Sequence, residues 1–104
     1  SEDNSAPKAP TNLKQVEETA ELITITWKKV SGSDIDYFVY VDGVHVKDTK
    51  DTKCKLEKDG LFADKNTVKI TVVAGRNGKR SGHSNVLTLI DNSNQGGGDT
   101  EDDE

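Results

Sequence analysis

Residues 23–43 read ITITWKKVSGSDIDYFVYVDG, and this stretch decides the fold class. In its first part Ile23, Ile25 and Trp27 alternate with threonines, so the apolar side chains share one face of an extended chain. A period of two with β-branched residues is typical of a half-buried β-strand. A second alternating run begins ten residues after the tryptophan, at Tyr37.

The second run predicts a β-hairpin. The segment YFVYV (37–41) keeps the alternation and is followed by Asp42-Gly43. Asp-Gly supplies the two positive-φ positions of a type I′ turn, so Val44 and Val46 are predicted to lie on the return strand.

Further short strands complete the pattern. They are predicted at 13–16, 53–56, 68–74 and 86–90, with a tight turn at Asn77-Gly78. In the last strand the core-facing residues are either Val86, Thr88 and Ile90 or Leu87 and Leu89. No window of 11 residues has helical spacing, so no helix is predicted. Seven short strands in about 80 residues predict an all-β fold, a seven-stranded antiparallel β-sandwich.

Composition divides the 104 residues into three parts. Residues 1–10 contain both prolines and are expected to form a flexible N-terminal tether. Residues 11–90 hold 13 Lys and Arg against 11 Asp and Glu, and are predicted to form the sandwich. Residues 91–104 hold six acidic and no basic residues, so a disordered acidic C-terminal tail is expected. The net charge of -5 therefore reflects the tail.

Several classes of protein are disfavoured. No run approaches the roughly 18 apolar residues of a membrane span, so no membrane insertion is expected. The single cysteine, Cys54, excludes an intrachain disulfide, and we expect it to be a buried structural thiol. Nucleic acid is not expected as a partner, because residues 11–90 are nearly neutral and carry no groove-reading helix.

The order of these motifs resembles the fibronectin type III domain, an immunoglobulin-like β-sandwich. The likeness covers residues 7–90: the proline-led entry APTNL, the tryptophan of ITITW, the tyrosine of DYFVYVDG, the leucine of DGLFADKNT, the pair Val72 and Ala74, and the serines Ser81 and Ser84. One feature departs from the family. A tyrosine usually lies six residues before that alanine and anchors the corner between the fifth and sixth strands, but this chain has Val68. The resemblance therefore implies a divergent member whose corner is held in another way.

The resemblance also implies which residues form the core. Trp27 and Tyr37 are expected to project inward from neighbouring strands of opposite sheets and to fill the roughly 10 Å gap between them. The predicted core residues are Ile25, Trp27, Tyr37, Val39, Leu61, Ile70 and Val72.

Two sets of residues are candidates for binding. Phe38 and Tyr40 lie on the opposite face of the third strand from Tyr37, so they are expected to be partly exposed. The loop GRNGKRSGHS between the last two strands is basic, and its candidate residues are Arg76, Lys79, Arg80 and His83. Such a loop suits an anionic partner. The Arg-Gly-Asp integrin signal that some fibronectin type III domains carry here is absent from the sequence.

Catalytic and metal-binding motifs are not found. Neither His45 nor His83 has a nucleophile or an orienting acid in a motif around it, so an enzyme is not expected. His45, His83 and Cys54 lie on different predicted elements and are expected to be far apart, so neither a metal site nor a cofactor is predicted.

The sequence and the resemblance together predict a non-catalytic interaction or adhesion module. We expect it on a virion of phage-tail type or on a bacterial surface protein, hence extracellular, where it weakly binds a protein or a cell-surface polysaccharide or other polyanion. The alternative is a spacer or accessory domain of a secreted glycoside hydrolase or another multidomain extracellular protein. The isolated domain is expected to be monomeric and to be part of a larger chain or assembly.

Overall fold

The computed structural model describes residues 6–63 and 65–91. Most of the expected acidic tail and half of the expected N-terminal tether lie outside the described residues, so the predictions for these segments remain predictions. Within the described ranges the chain forms eight strands and one short helix: β1 (Thr11–Glu18), β2 (Leu22–Lys28), β3 (Asp36–Val41), β4 (Val44–Thr49), β5 (Lys53–Glu57), α1 (Lys58–Phe62), β6 (Thr67–Arg76), β7 (Lys79–Arg80) and β8 (Leu87–Ile90).

The strands form two antiparallel sheets. The first has the order β1-β2-β5, and the second has the order β4-β3-β6-β7, with β8 also paired to β6. Core side chains from both sheets fill the space between them. The prediction of an all-β antiparallel sandwich is confirmed.

The strand count is eight instead of seven because the last strand is split in two. Between β7 and β8 the chain still follows β6, but two serine hydroxyls replace main-chain acceptors. The main-chain N–H of Ala74 donates to Ser81 Oγ at 2.9 Å, and that of Val72 donates to Ser84 Oγ at 2.9 Å. The main-chain N–H groups of the two serines donate in return to the carbonyls of Ala74 and Val72. The edge of β6 is thus paired where regular strand structure is interrupted.

The helix α1 was not predicted. It has only five residues, which is too short to produce a periodic pattern in the sequence. It follows β5 directly and buries Leu61 and Phe62 against the core. Lys58 lies at its start, where the ammonium group is 2.6 Å from Glu18 Oε2 on β1. The helix therefore closes one end of the sandwich and connects its two sheets.

The central contact of the core joins the two sheets. The rings of Trp27 on β2 and Tyr37 on β3 lie edge to face, with 5.5 Å between their centroids. The hydroxyl of Tyr37 accepts a hydrogen bond of 2.9 Å from the main-chain N–H of Val30, in the loop that connects the two strands. All seven of the predicted core residues are buried. In β8 the core-facing residue is Leu89, with Leu87 partly buried, whereas Ile90 and the preceding Val86 are exposed.

Both of the predicted tight turns are present. The φ angles are +52° at Asp42 and +86° at Gly43, and +54° at Asn77 and +80° at Gly78. Two successive positive φ angles define the type I′ turn, which suits the twist of a hairpin. The β3–β4 and β6–β7 turns therefore follow the local sequence.

The corner before β6 is held without the usual tyrosine. Val68 takes its place and is fully buried, opposite Leu89 of β8. The β3–β4 turn supplies the polar contacts instead, since Asp42 Oδ2 lies 2.7 Å from the Lys65 ammonium and Oδ1 accepts a 2.9 Å bond from the Lys69 N–H. The side-chain bond from Lys65 and the main-chain bond from Lys69 lower the pKa of the Asp42 carboxyl.

Truncating the tryptophan should be strongly destabilising. We expect Trp27→Ala to lower the free energy of unfolding by about 3–5 kcal/mol, because the cavity opens between two sheets that cannot close over it. Chemical denaturation measures the loss, with Val16→Ala at an exposed position of β1 as the control. A loss below about 1 kcal/mol would contradict the central position of this ring.

The Asp42 contacts at this corner should make the free energy of unfolding depend on pH. A carboxyl with a lowered folded-state pKa contributes stability that is fully present above its unfolded pKa of about 3.9 and is lost as the pH falls through the folded value. The variant Asp42→Asn keeps a residue suited to the turn but loses the charge. We therefore expect the stability difference between wild type and Asp42→Asn to shrink below about pH 4 in denaturant unfolding. A difference that is constant between about pH 2 and 7, or one equal to that of Asp48→Asn on β4, would show that the Asp42 contacts are unimportant.

Candidate functional site

The candidate site begins with the outward side of β3. Because strand residues alternate, the inward positions of Tyr37 and Val39 place Phe38 and Tyr40 on the outer face of the five-stranded sheet. Both side chains are half-buried, in agreement with the sequence analysis. Their neighbours on β6, across the sheet, are Val73 for Phe38 and Thr71 for Tyr40.

Phe38 packs closely against a glycine and an arginine. Gly75 is buried, and a Cβ atom added to it would lie 2.6 Å from Phe38 Cε2 and 3.3 Å from Phe38 Cζ. The guanidinium carbon of Arg80 lies over the ring, 4.4 Å from its centroid. This separation is well within the range of a cation–π contact. Residue 75 must therefore be small for Phe38 to keep its position beneath Arg80.

Tyr40 links the same arginine to both histidines. Arg80 Nη1 donates a 2.9 Å hydrogen bond to the Tyr40 hydroxyl. The Tyr40 ring lies 5.5 Å from the His45 ring on β4 and 5.0 Å from the His83 ring, measured between centroids. His83 Nδ1 forms a 2.8 Å hydrogen bond with Thr71 Oγ1, which fixes the imidazole on β6.

These contacts define one surface, the aromatic–cationic face, formed by Phe38, Tyr40, His45, Arg80 and His83. The expected wide separation of His45, His83 and Cys54 needs a correction for the two histidines, because both of their rings lie within 5.5 Å of the Tyr40 ring. Their sequence positions do not reveal this, since the contact depends on the pairing of β3 with both β4 and β6.

The predicted basic loop does not act as one group. Arg80 and His83 join the aromatic–cationic face, and Lys79 is exposed beside the β6–β7 turn. Arg76 extends elsewhere: a Cβ on Gly32, in the β2–β3 loop, would lie 2.5 Å from Arg76 Nη1. The guanidinium of Arg76 therefore packs against that loop.

Sequence reasoning missed Gly75, Thr71 and His45 as parts of the site. Of these, Gly75 could have been recognised from the sequence, because a glycine inside a strand of β-branched residues often marks the close approach of another group. His45 and Thr71 carried no such signal, since their roles depend on register.

Other chemistry has little support in the described residues. They contain no group of three His, Cys, Asp or Glu side chains arranged to hold a metal ion. Burial raises the pKa of the Cys54 thiol, with an opposing effect from the nearby charge of Lys47. The thiolate, which is the nucleophilic form, is therefore disfavoured. No helix between residues 6 and 63 or 65 and 91 has the length and hydropathy needed to cross a membrane.

A single methyl group should disrupt the face. In Gly75→Ala the new Cβ forces the Phe38 ring from its place, so we expect a loss of about 1–3 kcal/mol in the free energy of unfolding. The Arg80 stacking contact should be lost as well. Denaturant unfolding measures the loss, and Gly60→Ala is the matched control because a Cβ in α1 meets no atom within 4 Å. Equal stability of wild type and Gly75→Ala would contradict the close packing of Phe38.

Comparisons with known proteins agree on the fold. The chain is similar to part of a structure of titin kinase and its flanking domains (19% identity, TM-score 0.70, 86% of this chain and 18% of that one). It is also similar to domains A168–A170 of titin (19%, 0.68, 83% and 32%) and to the structure of a mutant FN3tt (12%, 0.65, 83% and 97%). The central fibronectin-III array of RIM-binding protein matches as well (19%, 0.63, 88% and 38%).

The match covers only part of most of these proteins. This chain spans about a third of the titin A168–A170 segment and about a fifth of the titin kinase segment. No protein-family model matches the chain, and no significant match was found among curated proteins. At identities of 12–19% the likeness establishes the fold alone. Together with the two-sheet topology and the tryptophan–tyrosine core, it shows that this chain folds as a fibronectin type III-like β-sandwich.

Proposed function

We propose that this domain is a non-catalytic interaction module that binds an anionic partner through the aromatic–cationic face. The observation that carries the proposal is the position of Arg80. Its guanidinium stacks on Phe38 and donates one hydrogen bond to Tyr40, on a face that remains open to solvent.

These two contacts prepare Arg80 for binding. An arginine side chain loses rotamer freedom when it binds a ligand, and this loss opposes association. Stacking and the Tyr40 bond restrict Arg80 before any partner arrives, so less freedom is lost on binding. A guanidinium has five N–H donors, and only one bonds to Tyr40 in this contact. The other donors can form a planar fork that matches carboxylate or phosphate oxygens.

The surroundings of Arg80 favour an anionic polymer over a single small ion. His45 and His83 flank Tyr40 further along the face. Aromatic and imidazole rings thus continue the surface beyond Arg80. We propose a polyanionic cell-surface polymer as the partner and a bacterial surface protein or a virion as the setting, which places the domain outside the cell.

A spacer role is the second candidate. It is supported by the similarity to segments of tandem domains, since the chain corresponds to 32% of a three-domain titin segment and 38% of a fibronectin-III array. A spacer would connect other domains, such as those of a secreted glycoside hydrolase, and its surface would bind nothing.

Retention on purified teichoic-acid-containing cell walls separates the two candidates. If the face binds, wild type should be retained at about 0.05 M salt and released at about 1 M, where the Debye length is only about 3 Å. We expect Arg80→Gln to weaken retention about tenfold, because a charge-assisted fork is lost. Arg80→Lys keeps the charge but not the fork, so its retention should be intermediate.

The matched control is Lys53→Gln, which removes one positive charge from an exposed position of the three-stranded sheet. It should behave like wild type. Equal weakening by Lys53→Gln and Arg80→Gln would show binding by net charge alone and contradict the proposed site. Absence of retention at low salt would exclude this class of partner and favour the spacer.

A further inference from the structure

A second surface lies on the open side of the sandwich, between β4 of one sheet and β5 of the other. A groove of about 520 Å³ runs there. Its apolar lining comes from both sheets and from α1, and consists of Leu22, Val41, Val46, Leu56 and Leu61. None of these residues belongs to the aromatic–cationic face.

The groove runs beside an unpaired strand edge. β4 ends the five-stranded sheet, so β3 is its only partner among the described strands. Its side chains are also open to solvent, and Val44 and Val46 are 63% and 51% exposed. The pairing of β4 with β3 has a register shift opposite Val39 and Tyr40, where Val46 is the extra residue. On either side of this bulge the edge presents main-chain N–H and C=O groups that an additional strand can pair with.

The charged residues that line the groove are Lys47, Lys55 and Glu57, so their net charge is positive. Lys47 on β4 extends across the gap and donates to the main-chain carbonyl of Lys55 on β5, at 3.4 Å. This distance is near the upper limit for a hydrogen bond, and the acceptor is neutral. A carboxylate placed in the groove would be a stronger acceptor for the same ammonium group.

We propose that the β4 edge and this groove together bind an extended peptide of another protein. In that peptide an apolar residue is separated by one residue from an acidic residue. Side chains two positions apart project to the same side of a strand, so an apolar side chain would enter the groove while the acidic one meets Lys47. The main-chain bonds to β4 supply affinity, and the groove and Lys47 supply selectivity.

Another edge strand, which does not line the groove, offers a comparison. β1 ends the three-stranded sheet, and Val16 on it is 49% exposed, much like Val46 on β4. The groove is lined by residues of β2 to β5 and α1, and by none of β1. If an exposed edge with a valine were enough, β1 would bind the same peptide.

The probe is a blocked heptapeptide of sequence Thr-Glu-Thr-Leu-Thr-Glu-Thr, which places an acid two positions from the leucine in either strand direction. In a two-dimensional ¹H–¹⁵N NMR titration up to about 2 mM, we expect saturable shifts at the amides of residues 44–49 and around the groove. Replacing leucine by serine, or both glutamates by lysine, should weaken binding at least about tenfold. Methylating the peptide's alternate main-chain nitrogens should abolish it, because strand addition needs their N–H groups.

Variants of the domain complete the test. Val46→Asp should abolish binding, while Val16→Asp, a change of equal size and charge on β1, should leave it intact. Arg80→Gln should also leave it intact, since the proposal does not depend on the aromatic–cationic face. The proposal is overturned if the wild type shows no saturable shifts, if the shifts map to β1, or if the methylated peptide binds as well as the unmodified one.

Discussion

The contact between Trp27 and Tyr37 is the interaction on which the rest of the structure depends. The two rings come from strands of different sheets, so their packing sets how the sheets face each other. The Tyr37 hydroxyl also binds the loop that connects these strands, through the N–H of Val30. Since neighbours on a strand point to opposite sides, the inward position of Tyr37 is what turns Phe38 and Tyr40 outward. The candidate site thus lies on the outer face of the same sheet whose inner face packs against the core.

The local rules of strand structure predicted most of the fold. Alternation placed Trp27 and Tyr37 inside, and Asp42-Gly43 and Asn77-Gly78 form the turns that their residue types favour. The rules failed where structure depends on partners that are distant in sequence. The serine hydroxyls that pair with β6 divide the last strand, and burial of Leu61 and Phe62 stabilises a helical turn that has too few residues for a period.

The sequence predicted individual residues of the site but not that they lie together. Phe38 and Tyr40 were identified from alternation, and Arg80 and His83 from the charge of their loop, but nothing in the sequence joined the two sets. The join arises from the register of β3, β6 and β7, in which Gly75 pairs with both Asp36 and Arg80. Arg76, four residues away, has the same side-chain chemistry as Arg80 but packs against the β2–β3 loop. Charge alone therefore could not distinguish the arginine that belongs to the face.

The segment 81–84, which Ser81 and Ser84 bond to β6, limits where the chain tolerates an insertion. Ser81 and Ser84 hold residues 81–84 to β6 by side chains whose spacing must match Ala74 and Val72. An extra residue between the two serines would leave one of them out of register and release an N–H of β6. The Asn77-Gly78 turn has no such requirement, because it is exposed and joins the strands at their tips. A protein engineer who grafts a loop onto this scaffold should extend it at residues 77–78 and keep the length of 81–84 unchanged.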